Sequence, residues 1–380
     1  MIHSKLPYQG TTIFSVMSQL AHETGAVNLG QGFPGFGIDE KLISLVNKAM
    51  TNELNQYAPM PGVAALRNAI ADKIFLSYGR RYDSETEITI TAGATQAIFT
   101  AITALIHPDD EVIVFAPAYD CYAPAIEVNG GKPVWIELHY PDYTIHWDEI
   151  KKRINHRTRM IIINSPLNPG ATVMSNTDME ELQKIVSGTD IIVLSDEVYE
   201  HIIFDGEQHQ SCARFPALAD QSMIVYSFGK TFHATGWKMG YIVGPAEFMA
   251  EFRKIHQYNV FSCNTPVQYA LAEYMSDPAT YLNLPSFYQK KRDFFLHLLE
   301  GSLFQWTPAR GSYFQLLNYS EITKDKDTDV AIQWTKNNGI ASIPLSVFYP
   351  EPVQENVLRF CFAKEDAELE RAASILKKII

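Results

Sequence analysis

Short apolar runs recur along the first two thirds of the chain, each closed by a turn. Residues 87–91, Glu-Ile-Thr-Ile-Thr, alternate in character and are β-branched, which predicts a strand. The runs at 111–115, 159–164, 190–195 and 223–226 are almost wholly apolar and predict strands buried on both faces. Residues 38–50 and 92–105 carry helical spacing instead. A long helical region begins after Gly244-Pro245, is broken by a loop over 258–266, and restarts near Pro266. A helix over 281–300 leads into strands at 311–317 and 357–362, with helices at 327–338 and 366–380. Strands alternating with helices predict an α/β fold with a mainly parallel, doubly wound sheet, followed by a smaller α+β part.

In such a sheet, ligands bind beyond the carboxyl ends of the strands. The residues at those ends are therefore the first place to look for chemistry. Ala92-Gly93-Ala94-Thr95 follows the first strand and opens a helix, so its free N–H groups can hold an anion. Tyr119 follows the second and can stack on a flat ring. Asn168 follows the third and can donate to an oxygen, and Asp196 follows the fourth and can pair with a cationic ring nitrogen. Ser227 and Lys230 follow the fifth. A lysine in an apolar setting loses basicity and becomes a usable nucleophile. Each residue alone has an ordinary structural explanation. Five at five strand ends are hard to explain as coincidence. Away from the sheet, Arg359 lies inside an apolar strand, where alternation puts its neighbours on one face and the guanidinium on the other. It wants a carboxylate, either a ligand's or one of the protein's own.

Composition narrows the classes. The 380 residues carry a formal charge of -12 with no basic run, which argues against a nucleic-acid partner. No apolar run approaches the ~18 residues that span a bilayer, so no membrane role is expected. Residues 1–10 lack an apolar signal segment. The four cysteines are scattered, which fits reduced thiols in a cytoplasm. No His/Cys cluster stands at ligand spacing, so no metal is expected. Ser227-x-x-Lys230 alone also fits a serine nucleophile of the penicillin-binding type, but the S-D-N and K-T-G partners of that motif are absent.

The longer stretch from Ser227 to Tyr241, with Lys230, Gly236 and Gly240, resembles the lysine segment of class I pyridoxal-phosphate aminotransferases. Asn168-Pro169-Gly170 and Asp196-x-x-Tyr199 precede it in the same order. The resemblance runs from Gln31-Gly32 to Arg359. Gln56-Tyr57-Ala58-Pro59, residues 195–200 and Thr235-Gly236-Trp237-Lys238 bring it nearest to the methionine, kynurenine and glutamine aminotransferases. One departure is Lys238, where the broader family has arginine. The charge is kept and the bidentate fork is lost.

The resemblance implies a fold-type-I enzyme, with a large cofactor domain over 39–282 and a small domain from 1–38 and 283–380. It implies pyridoxal 5′-phosphate, attached covalently to Lys230, which also shuttles the proton. Asp196 would keep the ring nitrogen protonated, Asn168 and Tyr199 would bond the phenolate oxygen, and Tyr119 would cover the ring. Ala94, Thr95, Ser227, Lys238 and a partner subunit's Tyr57 would hold the phosphate. Arg359, Asn168 and Gly32 would receive the α-carboxylate. Phe14 and Phe261, the latter from the partner of a homodimer, would line the side-chain pocket. Substrates would be a neutral apolar or aromatic amino acid and a 2-oxo acid. A carbon-sulfur β-lyase on the same residues, and a non-catalytic α/β ligand-binding protein, stand as alternatives.

Overall fold

The computed structural model describes residues 3–7 and 10–380. The expectation for residues 1–10 thus falls partly outside the described residues. Among the described residues twelve strands occur in chain order: β1 (Val27–Asn28), β2 (Ile88–Thr91), β3 (Glu111–Ala116), β4 (Lys132–Glu137), β5 (Thr158–Asn164), β6 (Ile192–Asp196), β7 (Ser222–Ser227), β8 (Gly240–Val243), β9 (Phe314–Asn318), β10 (Ile340–Ala341), β11 (Ile343–Pro344) and β12 (Val357–Cys361).

Seven of them form one sheet in the order β2-β8-β7-β6-β5-β3-β4. The pairs from β7 through β4 are parallel, and β8 runs antiparallel to both β7 and β2. The mainly parallel sheet expected from the sequence is therefore present. The strands alternate strictly between two cores. Val112, Val114, Ile162, Leu194 and Val225 face one. Ile113, Phe115, Ile163, Val193 and Ile224 face the other. Burial on both faces is why these strands read as continuous apolar runs. Each such side chain contributes about 1.5–3 kcal/mol.

The remaining strands make a three-stranded antiparallel sheet, β11-β12-β9, and a parallel pair, β1-β10. Cys361 N donates to Leu29 O at 2.7 Å, so the N-terminal segment lies beside β12. That contact carries residues 28–32 toward Arg359.

Two details differ from the expectation. The glycine-flanked strands β4 and β8 are too weakly apolar to stand out in the sequence. The helix expected over 281–300 is two, Ala279–Leu282 and Leu284–Leu299, because Pro285 in the first turn of the second starts a new helix. Strand β12 is buried along its whole length, so both faces of the strand that carries Arg359 lie in the interior.

Candidate active site

Ser227 ends β7, and its hydroxyl caps the single turn Phe228–Thr231 by accepting from Lys230 N at 3.4 Å. Lys230 therefore stands on a rigid turn beyond the strand end. Its Nζ donates to Gly32 O at 3.0 Å and to Tyr313 Oη at 2.8 Å. Burial lowers the pKa of this amine to about 8, and the nearby Arg359 charge pushes the same way.

Asp196 ends β6 and is buried. Its Oδ2 accepts from Tyr122 Oη at 2.6 Å, and its Oδ1 accepts from Val198 N at 3.3 Å. Burial raises its pKa to about 6 against these bonds. The carboxylate is ionised at neutral pH and poised to hold a proton on a neighbouring ring nitrogen. Asn164, the last residue of β5, fixes the adjoining loops. Its Nδ2 donates to Asp196 O at 2.9 Å, and its Oδ1 accepts from Asn168 N at 2.8 Å.

Asn168 Oδ1 in turn accepts from Arg359 Nη1 at 2.6 Å. The guanidinium is 1% exposed and lies among three rings, with Phe314, Phe348 and Phe14 centroids 3.9, 5.2 and 5.4 Å away. Burial lowers its pKa to about 10, so it remains charged at neutral pH. Among the described residues no carboxylate pairs with it; its Nη2 donates to Gly30 O at 3.3 Å, and its Nε has no partner. A buried, uncompensated guanidinium requires an anion. The internal salt bridge left open by the sequence is not formed.

The other end of the site is an anion cradle. Gly93 caps the helix Ala94–Leu105 at φ 85°, a conformation that favours glycine. A side chain at Gly93 would stand 3.5 Å from Lys238 Nζ, which places that ammonium beside the helix N-terminus. Gly240 lets β8 pass close: a Cβ there would lie 2.7 Å from Tyr226 O and 3.1 Å from Ala94 N. Ala94, Thr95, Ser227 and Lys238 line one cavity of about 150 Å³ together with Tyr119, Asn168, Asp196, Tyr199 and Lys230. Tyr119 Oη and Thr95 Oγ1 are 3.4 Å apart.

Nine of the expected residues thus share one cavity, and Gly32, Arg359 and Phe14 adjoin it through the contacts above. Tyr57 and Phe261 do not reach it within one chain. They are exposed and pack edge to face on each other at 5.2 Å. Three positions went unread in the sequence. Asn164 carried the same strand-end signal as its neighbours. Tyr122 and Tyr313 look like ordinary core tyrosines until the fold brings their hydroxyls to Asp196 and Lys230. A larger cavity of about 420 Å³ lies behind the site and shares Asn164 with it. It has no lysine in its lining, and its arginine, Arg310, is held bidentate by Glu207 at 2.7 Å. The chemistry therefore lies in the smaller one.

The donor set fits pyridoxal phosphate. The helix N-terminus, Ser227 and Lys238 suit its phosphate, Asp196 its ring nitrogen, Tyr119 its face and Lys230 its carbonyl carbon. Known proteins agree. The chain is 46% identical over 377 residues to a methionine aminotransferase of Escherichia coli strain K12, covering 99% of this chain and 98% of that protein. It is 32% identical over 396 residues to kynurenine–oxoglutarate transaminase 1 of Rattus norvegicus, covering 95% and 93%. A solved Escherichia coli structure, described as identifying a methionine aminotransferase function, superposes with a TM-score of 0.98 at 45% identity and covers 100% of this chain and 99% of that one. Residues 24–376 match the family model for class I and II aminotransferases, and the chain belongs to that pyridoxal-phosphate-dependent family.

Proposed function

We propose that this aminotransferase moves the amino group of a neutral apolar or aromatic amino acid, of the methionine, phenylalanine, tyrosine, kynurenine or glutamine class, to a 2-oxo acid. The observation that carries this reading is that the unpaired Arg359 guanidinium is bonded to Asn168 Oδ1 at the edge of the cavity that Asn168 and Lys230 line. Arg359 and Asn168 receive the α-carboxylate, with Gly32 beside them. The bound cofactor supplies an electron sink for the substrate carbon. Lys230, with its pKa near 8, takes and returns the proton at its Nζ near neutral pH. Asp196 holds the ring proton, Asn168 and Tyr199 set the hydrogen bonds around the ring oxygen, and Ala94, Thr95, Ser227 and Lys238 bind phosphate.

The side-chain preference rests on what the pocket lacks. Phe14 and Phe348 rings flank Arg359. The two arginines that could serve a second carboxylate are engaged elsewhere. Arg310 is paired with Glu207, and Arg253 donates to Thr89 Oγ1, Glu85 O and Ile88 O. An unpaired second carboxylate here would cost several kcal/mol. The names of the methionine and kynurenine relatives point the same way.

A homodimer with shared sites completes the reading. Tyr57, Phe261 and Tyr258 are 82%, 46% and 90% exposed, an aromatic surface suited to burial by a partner. Tyr57 and Phe261 would then serve the neighbouring site. The division into residues 39–282 and residues 1–38 with 283–380 is supported by the strands of the seven-stranded sheet lying in the first range and those of the smaller sheets in the second. Four unpaired cysteines support a cytoplasmic setting. No helix among the described residues is long and apolar enough to cross a membrane.

The direct test of the cofactor chemistry is borohydride reduction of the holoprotein followed by peptide mapping. The cofactor should be fixed on Lys230. A label on another lysine, or none, would overturn the assignment.

A further inference from the structure

We propose that Tyr313 is a positioning residue whose hydroxyl, with the Gly32 carbonyl, docks the free amine of Lys230 and aims it at the substrate. The inference rests on the reading of Lys230 as the proton carrier. The Tyr313 hydroxyl has one hydrogen, and it goes to Gly32 O at 2.6 Å. Toward Lys230, 2.8 Å away, the same hydroxyl can therefore only accept. Lys230 Nζ also donates to Gly32 O at 3.0 Å. A neutral amine has two N–H bonds and one lone pair. Both N–H bonds are taken by the dock, so the lone pair is left pointing in one direction.

Proton gain does not disturb this arrangement. The ammonium keeps the same two bonds and presents its third N–H along the direction the lone pair had. The amine thus takes a proton and gives it back without turning. Nothing but that proton moves, from substrate carbon to Nζ and from Nζ onward.

The dock is rigid. Tyr313 is fully buried, and its ring packs against Phe314, Tyr199 and Tyr288 with centroids 5.0, 5.1 and 5.8 Å away. Burial pushes its own pKa well up, so the phenol stays neutral through the working range. The two acceptors come from opposite ends of the chain, so the dock exists only when the N-terminal loop and the segment before β9 are both in place. No sequence motif announces it.

The test is the titration of Lys230 in the cofactor-free protein, read by competitive acetylation across pH with peptide mass spectrometry. A bond to an ammonium is stronger than one to an amine, so the dock holds the lysine's midpoint up against burial. In Tyr313→Phe the midpoint should fall by about one pH unit. In the holoenzyme the same variant should lose about tenfold in kcat with KM for the amino donor unchanged. Tyr288→Phe is the control, since it removes a buried hydroxyl that has no partner in the same aromatic cluster. It should leave the midpoint where it is. If Tyr313→Phe does not fold, 4-fluorophenylalanine at 313 fills the space of the hydroxyl with a poor acceptor that cannot ionise, and the midpoint should again fall. An unmoved or raised midpoint in the folded Tyr313 variant, or an equal fall in Tyr288→Phe, overturns the dock. The readout involves neither cofactor nor substrate, so its failure would leave the aminotransferase reading untouched.

Discussion

Arg359 on β12 donates to Asn168 Oδ1 at 2.6 Å, which joins the three-stranded sheet to the loop that follows β5 in the seven-stranded one. The bond places the one unpaired guanidinium of the site next to the residue expected at the cofactor's ring oxygen. The bond thus brings Arg359 to the cavity that Asn168 and Lys230 line.

Arg359→Lys keeps the charge and loses the fork. It should raise KM for the amino donor by about thirtyfold, equivalent to about 2 kcal/mol, while the bound cofactor's visible absorbance persists. Steady-state kinetics with an absorbance spectrum of the same sample decides it. An unchanged KM would remove Arg359 from substrate binding.

Asp196 makes a stability prediction with a defined sign. Its pKa is raised from 3.8 to about 6 in the folded chain, chiefly by burial. Between those values the folded state binds more protons than the unfolded one, so stability falls as pH rises through the window. Above about pH 6 the ionised carboxylate carries the full penalty. In the cofactor-free protein, Asp196→Asn should therefore raise stability at pH 7 by on the order of 2 kcal/mol, with the gain vanishing below about pH 4. The same variant should lose activity, a trade expected at a working site. Urea unfolding at pH 4 and pH 7 measures both ends. A variant less stable at pH 7 contradicts the assignment of burial as the dominant cause.

Lys238 stands at φ 53° beside the N-terminus of the helix Ala94–Leu105, where a phosphate is proposed to bind. Lys238→Ala should weaken retention of pyridoxal phosphate by about tenfold or more, whereas Lys238→Arg should hold it at least as well. Equilibrium dialysis of the cofactor separates the two. Equal retention in all three proteins would leave the phosphate to the backbone and Ser227 alone.

If Tyr57 acts across a dimer, Tyr57→Ala and Lys230→Ala chains should complement each other. Equal mixing under exchange conditions makes half of the dimers hybrid, each with one intact site. About a quarter of the wild-type rate should return. A mixture as inactive as its components would place Tyr57 outside the neighbouring site.

Much of this was legible in the sequence, and for a physical reason. Strands buried on both faces must be continuously apolar, so the polar residues just beyond each one stand out. Tyr119, Asn168, Asp196 and Lys230 are legible in the sequence for that reason. The antiparallel β8 was not legible, because four residues beginning with glycine make no run. Tyr313 and Tyr122 were hidden for a different reason. A buried tyrosine looks the same in sequence whether its hydroxyl is idle, as in Tyr288, or bonded to a functional group. Only the meeting of distant segments distinguishes them. The pairing of Arg359 is likewise hidden in the sequence, because it is distant phenylalanines, and no carboxylate, that the fold brings around it.

The most direct test of the central claim is a side-by-side donor assay that measures keto-acid exchange and ammonia release together. Methionine and phenylalanine, each with a 2-oxo acid acceptor, should yield their own 2-oxo acids without free ammonia and should outrun aspartate. Ammonia with pyruvate from a cystathionine donor would indicate a carbon-sulfur lyase, and aspartate as the fastest donor would contradict the apolar pocket.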